Sequence, residues 1–280
     1  MIYGGSSAGT ANFGAARHVV CWIVLVSVAF AVLFLVDTAE EKRTIMQIPQ
    51  SITSTVNIQD GAALEILEGL VGDVSYYRCD STAAAAATTT TTTTIVSDAS
   101  MVDVPHYDLV LLHGAAFTKE DWKTSGILQK LCMKQGVTVT ALDLHVRSTH
   151  DLLKQTLQGL ANNQLVTLPL TGLVTPSASG FAIIDWLANG SVDQLKEYVS
   201  SWIPVASPAV MQATDKDLAA LASFPVLAIY GDRDARGKQV SERLENTAGA
   251  TKVELNGGHP CYLDSPDAFV DTVVKYLRIE

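Results

Sequence analysis

The chain has 280 residues, 48% of them apolar and 17% charged, which is enough to bury one substantial core. A formal net charge of −10 excludes a general nucleic-acid binder, because such a protein needs a basic face to displace counterions. Four cysteines, without a C-x-x-C pair or His/Cys zinc spacing, exclude a disulfide scaffold, and no metal or cofactor is expected.

Residues 1–18 read as an N-terminal tail. From Val19 to Val36 run eighteen residues in which Ser27 is the only polar one and none is charged. As a helix this run spans about 27 Å, close to the roughly 30 Å of bilayer hydrocarbon. A cleaved signal peptide has a shorter apolar region of about 7–15 residues. Cleavage after Ala39 would also put Asp37 where a small neutral side chain is needed. An uncleaved single-pass anchor is therefore expected, with the membrane as a partner through Val19–Val36. Basic residues on both flanks leave the orientation open. Residues 37–46 read as a linker and 47–280 as the folded domain.

Gln47 to Asp60 reads as extended, with a β-branched run at Ser51–Val56, and a second strand is expected around Val74–Tyr77. Together they suggest a hairpin at a sheet edge. Residues 82–94, mostly five Ala followed by seven Thr, cannot build a core and read as a loop insertion or solvated spacer. From Tyr107 the pattern changes. Asp108–Leu112 is an apolar run expected of a strand buried on both faces. Helix is expected over 120–135, strand over 137–142, helix over 149–163, and strand ending near Thr175. Helix follows over 177–189, strand over 198–206, a connecting helix over 215–222 and strand over 224–230. The chain closes with helix over 237–248, strand over 252–255 and helix over 267–279. Alternating strands and helices predict an α/β fold: a mostly parallel, doubly wound sheet with helices on both faces. Only residues 207–223 separate two of its strands, so no separate cap domain fits there.

In such a sheet the chemistry lies in loops at the carboxyl ends of the strands. Four of these loops agree. His113-Gly114-Ala115-Ala116-Phe117 combines a Gly turn with small residues whose amides can face a ligand. Thr175-Pro176-Ser177-Ala178-Ser179-Gly180 has the small-x-Ser-x-small pattern of a nucleophile elbow. Gly231-Asp232-Arg233-Asp234 and Asn256-Gly257-Gly258-His259-Pro260 follow two later strands. Each motif alone is weak; Ser177 by itself would pass for a helix cap. The order Ser, Asp, His, each after a strand, is that of the α/β-hydrolases rather than of the chymotrypsin or subtilisin types.

The region from Tyr107 to Glu280 resembles the α/β-hydrolase domain-containing protein 14 family. The resemblance rests on Leu111-Leu112-His113-Gly114, the elbow, Tyr230-Gly231-Asp232-Arg233-Asp234, and above all Gly258-His259-Pro260-Cys261-Tyr262-Leu263-Asp264. It implies an α/β-hydrolase fold with Ser177 as nucleophile, Asp234 as acid and His259 as base. Asp232 is then expected to be a turn or capping group, and Cys261 a small packed residue. One branch of the family carries a single N-terminal anchor, and by analogy the catalytic domain is expected to be lumenal or extracellular. The sequon Asn189-Gly190-Ser191 is consistent with that side. The chain departs from the family at Asp143-Leu144-His145-Val146-Arg147-Ser148, which lacks the glycines usual after this strand, and in the Ala/Thr tract.

The expected activity is hydrolysis of a small or surface-presented acyl ester, thioester or amide through an acyl-enzyme intermediate. The amides of Ala115 and Ala178 are the expected oxyanion donors. Two alternatives stay open: a non-catalytic binding protein that retains the fold, and an acyltransferase to an acceptor other than water.

Overall fold

A computed structural model describes residues 52–57, 63–81 and 105–279. Nine strands form one sheet among the described residues. They are β1 (Ile52–Asn57), β2 (Ala63–Val71), β3 (Val74–Asp80), β4 (Tyr107–Leu111), β5 (Val137–Leu142), β6 (Gly172–Pro176), β7 (Trp202–Val205), β8 (Leu227–Gly231) and β9 (Thr251–Leu255). Their spatial order is β1-β2-β3-β5-β4-β6-β7-β8-β9. The first three strands are an antiparallel meander, and β3 joins β5 antiparallel; from β5 through β9 every pairing is parallel.

The helices are α1 (Lys119–Thr124), α2 (Ile127–Cys132), α3 (His150–Asn162), α4 (Phe181–Asn189), α5 (Val192–Lys196), α6 (Asp215–Ala219), α7 (Ala235–Ala248), α8 (Cys261–Asp264) and α9 (Pro266–Leu277). The two-residue repeat of a strand assigns the core to both faces of the sheet. Val110 and Leu112 face one cluster with Leu153 and Leu157 of α3, Ile183 and Trp186 of α4, and Leu244 of α7. Leu109 and Leu111 face another with Trp122, Leu128, Phe269 and Val273. These side chains are essentially inaccessible to solvent, as the continuous apolar run of β4 requires.

Some boundaries differ from expectation. The helix expected over 120–135 is two short helices, because Gly126 takes φ +78° between them. The expected N-terminal hairpin has an additional strand, β2. Cys79 of β3 and Cys132 at the end of α2 form a disulfide, a pairing the sequence did not suggest.

The expectation of a single-pass membrane protein is corrected. Among the described residues no helix is long and apolar enough to cross a membrane. The longest, α7, has 14 residues and spans about 21 Å, and it carries five charged side chains, Arg236, Lys238, Glu242, Arg243 and Glu245. The run 19–36, the linker 37–46 and the tract 82–94 lie outside the described residues.

Candidate active site

The chain passes from β4 to β5 on one side and from β5 to β6 on the other, so the order reverses at β4 and a crevice opens beyond its carboxyl end. Ser177 stands there at the end of β6, with φ +50°, a conformation rare for a residue with a side chain. It opens a 3₁₀ turn, Ser177–Gly180, that leads into α4. The turn is held by Ser179, whose buried Oγ donates to the Pro176 carbonyl at 2.8 Å. Gly180 admits no side chain, since a Cβ there would lie 2.0 Å from Ser207 Oγ.

The structure brings three of the expected residues into one hydrogen-bonded line. His259 Nε2 lies 2.8 Å from Ser177 Oγ, and His259 Nδ1 lies 2.6 Å from Asp234 Oδ2. An ionised carboxylate only accepts, so Nδ1 carries the proton and Nε2 is left to accept from the serine hydroxyl. Burial by itself would raise the Asp234 carboxyl. The amide of Gly237 at 2.9 Å, together with His259, outweighs it and holds the group below the usual carboxylate range. Asp232 does not touch the imidazole. Its Oδ1 accepts the Gly257 amide at 2.8 Å and lies 3.4 Å from Arg233.

The loops carrying Asp234 and His259 interlock. A Cβ on Gly231 would meet the carbonyl oxygens of Gly258 and Gly257 at 2.2 and 2.4 Å, so glycine is required where the two backbones cross. Arg233 Nη1 donates to Asn256 Oδ1 at 2.8 Å across the same gap. The heptapeptide that begins at Gly258 is a turn followed by the short helix α8. Cys261 and Tyr262 are driven into the core, where Tyr262 packs on Trp122 with ring centroids 4.7 Å apart. Trp122 Nε1 donates to the Leu112 carbonyl at 3.0 Å, which ties the histidine loop to the loop after β4. Burial first, then the charges of Asp234 and Asp264, push the Cys261 thiol up to about 12.

Ala115 lies at the corner of a turn closed by Phe117 N–H to Gly114 O at 3.1 Å, and a Cβ on Gly114 would be 3.6 Å from Ser177 Cβ. This loop therefore borders Ser177. As second residue of its 3₁₀ turn, Ala178 has an N–H without an intrahelical acceptor. A supporting network was not expected from the sequence. Lys119 donates its amide to Asp143 Oδ1 at 2.6 Å, and its Nζ reaches Asp143 Oδ2, Ser75 Oγ and Glu68 Oε1 at 3.3, 3.0 and 3.2 Å. His113 Nδ1 donates to the Gly114 carbonyl at 2.9 Å, and its Nε2 stands 3.8 Å from Asp143. The loop that presents Ala115 is thus anchored to β3 and β5 through Asp143. Asn189, at the exposed end of α4, donates its amide to Asp185 Oδ1 at 2.7 Å.

A doubly wound sheet with a strained serine, an imidazole and a carboxylate aligned at its switch point defines an α/β-fold serine hydrolase. ABHD14B of Pongo abelii is 30% identical over 184 residues, covering 62% of this chain and 84% of that protein. ABHD14A of Danio rerio is 30% identical over 197 residues, covering 65% and 68%. The chain belongs to the α/β-hydrolase domain-containing protein 14 family. The Pongo abelii relative is named as a candidate protein-lysine deacylase. No protein-family model matches the chain. Among solved structures, the apoenzyme of S-formylglutathione hydrolase FrmB from Staphylococcus aureus matches 82% of this chain and all of its own, with 11% identity and a TM-score of 0.51. A CIB-like hydrolase from Thermoplasma acidophilum matches 82% of this chain at 16% identity, also with a TM-score of 0.51. At those identities the likeness concerns the fold.

Proposed function

We propose that the protein cleaves a small or surface-presented acyl ester, thioester or amide, with Ser177 as nucleophile, His259 as general base and acid, and Asp234 as its orienting carboxylate. The observation that carries this reading is the unbroken line from Ser177 Oγ to His259 Nε2, at 2.8 Å, and from Nδ1 to Asp234 Oδ2, at 2.6 Å. His259 takes the Ser177 proton as Oγ attacks the acyl carbon, then returns it to the leaving group. The acyl-enzyme is released by a second attack, with His259 activating water. The amides of Ala115 and Ala178 are assigned to the oxyanion.

An open site supports the choice of substrate. His259 is 47% exposed, and only two 3₁₀ turns and α6 stand between β7 and β8. An acyl group displayed on a larger surface can therefore approach. The name of the Pongo abelii relative makes an acylated lysine side chain the first amide to try.

The test is labelling of the full-length chain by a fluorophosphonate probe and turnover of a small activated ester. Ser177→Ala should abolish labelling and lower turnover by roughly 10⁴–10⁶-fold with the fold retained. Full activity in that variant would overturn the nucleophile, and a wild-type chain inert to both reagents would favour the binding-protein reading.

A further inference from the structure

Beside the elbow lies a cleft of about 290 Å³, lined by Arg147, Ser148, Thr149, Phe181, Asp185 and Gln212. The first three residues follow β5, Phe181 opens α4 after the elbow, and Gln212 ends the 3₁₀ turn after β7. The cleft thus lies at the carboxyl ends of the strands, as Ser177 does. Phe181 is four residues from Ser177, about 6–8 Å along the helix axis.

The two charged groups in this cleft differ in one respect. Asp185 is fully engaged: Oδ2 accepts the His150 amide at 2.8 Å and lies 2.7 Å from His150 Nδ1, while Oδ1 accepts from Asn189. The guanidinium of Arg147 has no hydrogen bond or ion pair with any described residue; only its backbone N–H is used, toward His145 Nδ1 at 3.3 Å. Its loop is nonetheless fixed. The amide and Oγ of Ser148 both donate to the His145 carbonyl, at 2.9 and 2.5 Å, and Thr149 caps α3. This is the loop in which the sequence lacks the glycines usual in the family.

We propose that this cleft reads a carboxylate on the substrate, paired with Arg147. The proposal rests on the triad reading above and adds a substrate class to it. A guanidinium on a fixed turn presents a planar fork that matches a carboxylate with two parallel N–H···O bonds. The chain's net charge of −10 does not oppose this at contact range, because charges beyond about 8 Å are largely screened at physiological salt, and Asp185 in the cleft wall turns both carboxylate oxygens to His150 and Asn189. Phe181 gives the cleft an apolar wall beside this group.

The experiment compares kcat/KM of the full-length chain within two substrate pairs. Mono-4-nitrophenyl glutarate against 4-nitrophenyl pentanoate puts the carboxylate on the acyl group. 3-Acetoxybenzoate against its methyl ester puts it on the leaving group. In one pair the wild type should prefer the anion. That ratio should fall about tenfold in Arg147→Ala, invert in Arg147→Glu and largely return in Arg147→Lys. The responding pair identifies the side of the scissile bond that the cleft holds. Ratios that do not move with Arg147 in either pair, while the neutral esters are turned over in a Ser177-dependent way, would overturn the proposal alone. Neutral esters left untouched by the wild type would overturn the hydrolase reading and this proposal with it.

Discussion

The Asp264 carboxylate accepts the Gly258 amide at 2.6 Å, so the last residue of the Gly258–Asp264 heptapeptide clamps the first, with His259 held between them. The amides of Leu263 and Asp264 return to the Pro260 carbonyl and close the turn from inside. Asp264→Ala leaves the Gly258 amide unpaired and frees the backbone that aims the imidazole. Turnover of an activated ester should fall roughly 10- to 100-fold in kcat with little change in KM. Steady-state kinetics checks this; an unaltered kcat would mean that α8 alone positions the loop.

The two aspartates after β8 make a sharp pair. Asp234→Asn should lower kcat by on the order of 10³–10⁴-fold, because the imidazole loses the partner that fixes its tautomer. Asp232→Asn keeps an oxygen for the Gly257 amide and should retain most activity. A crippled Asp232→Asn beside an active Asp234→Asn would reassign the acid.

Stability should depend on acid through three carboxylates. Asp143, Asp185 and Asp234 all feel burial, which raises them, but are held below the ordinary range by hydrogen bonds: from Lys119 and Ser75 to Asp143, from His150 and Asn189 to Asp185, and from Gly237 and His259 to Asp234. A group lowered on folding binds fewer protons in the folded state than in the unfolded one. Its contribution is complete above the unfolded value near 4 and is lost as pH falls through the lower folded value. Melting temperature should therefore decline below about pH 4, and Asp143→Asn should flatten that decline. An identical pH profile in the variant would show that the Lys119 network adds nothing to stability.

Gly231→Ala drives a methyl group into two backbone carbonyls that cannot step aside. The expected cost is about 3 kcal/mol, read as a lower urea midpoint at unchanged slope. A variant as stable as wild type would mean the two loops part easily.

With its thiol pushed up to about 12 and fully buried, Cys261 carries on the order of one thiolate in ten thousand at pH 8. Iodoacetamide with mass mapping should leave Cys261 unmodified in the native protein and modify it after denaturation. Rapid native alkylation would reveal opening of the histidine loop.

The parts of the molecule legible in the sequence are those specified by neighbouring residues. The apolar run ending in Leu112 has the pattern expected of a strand covered on both sides, and the elbow and the loops that carry Asp234 and His259 hold short signatures. Strand β2 was not legible, because the alternation of Leu64, Glu65 and Ile66 breaks at Leu67, Glu68 and Gly69; its pairing with β1 and β3 makes it a strand. The break at Gly126 hides within a helical pattern and shows only as a positive φ. Ser75, Lys119 and Asp143 come from three distant segments, as do Cys79 and Cys132, and no local spacing announces such contacts. Asp143 read only as the residue after a strand.

The crossing of backbones at Gly231 ties the loops of Asp234 and His259 to each other. Both ride on adjacent paired strands, β8 and β9, whereas Ser177 rides on β6 with β7 in between. A change in sheet twist between β6 and β8 therefore leaves the His259–Asp234 bond intact and alters the gap between His259 and Ser177. In the proposed mechanism the adjustable joint is the one across which a proton has to move.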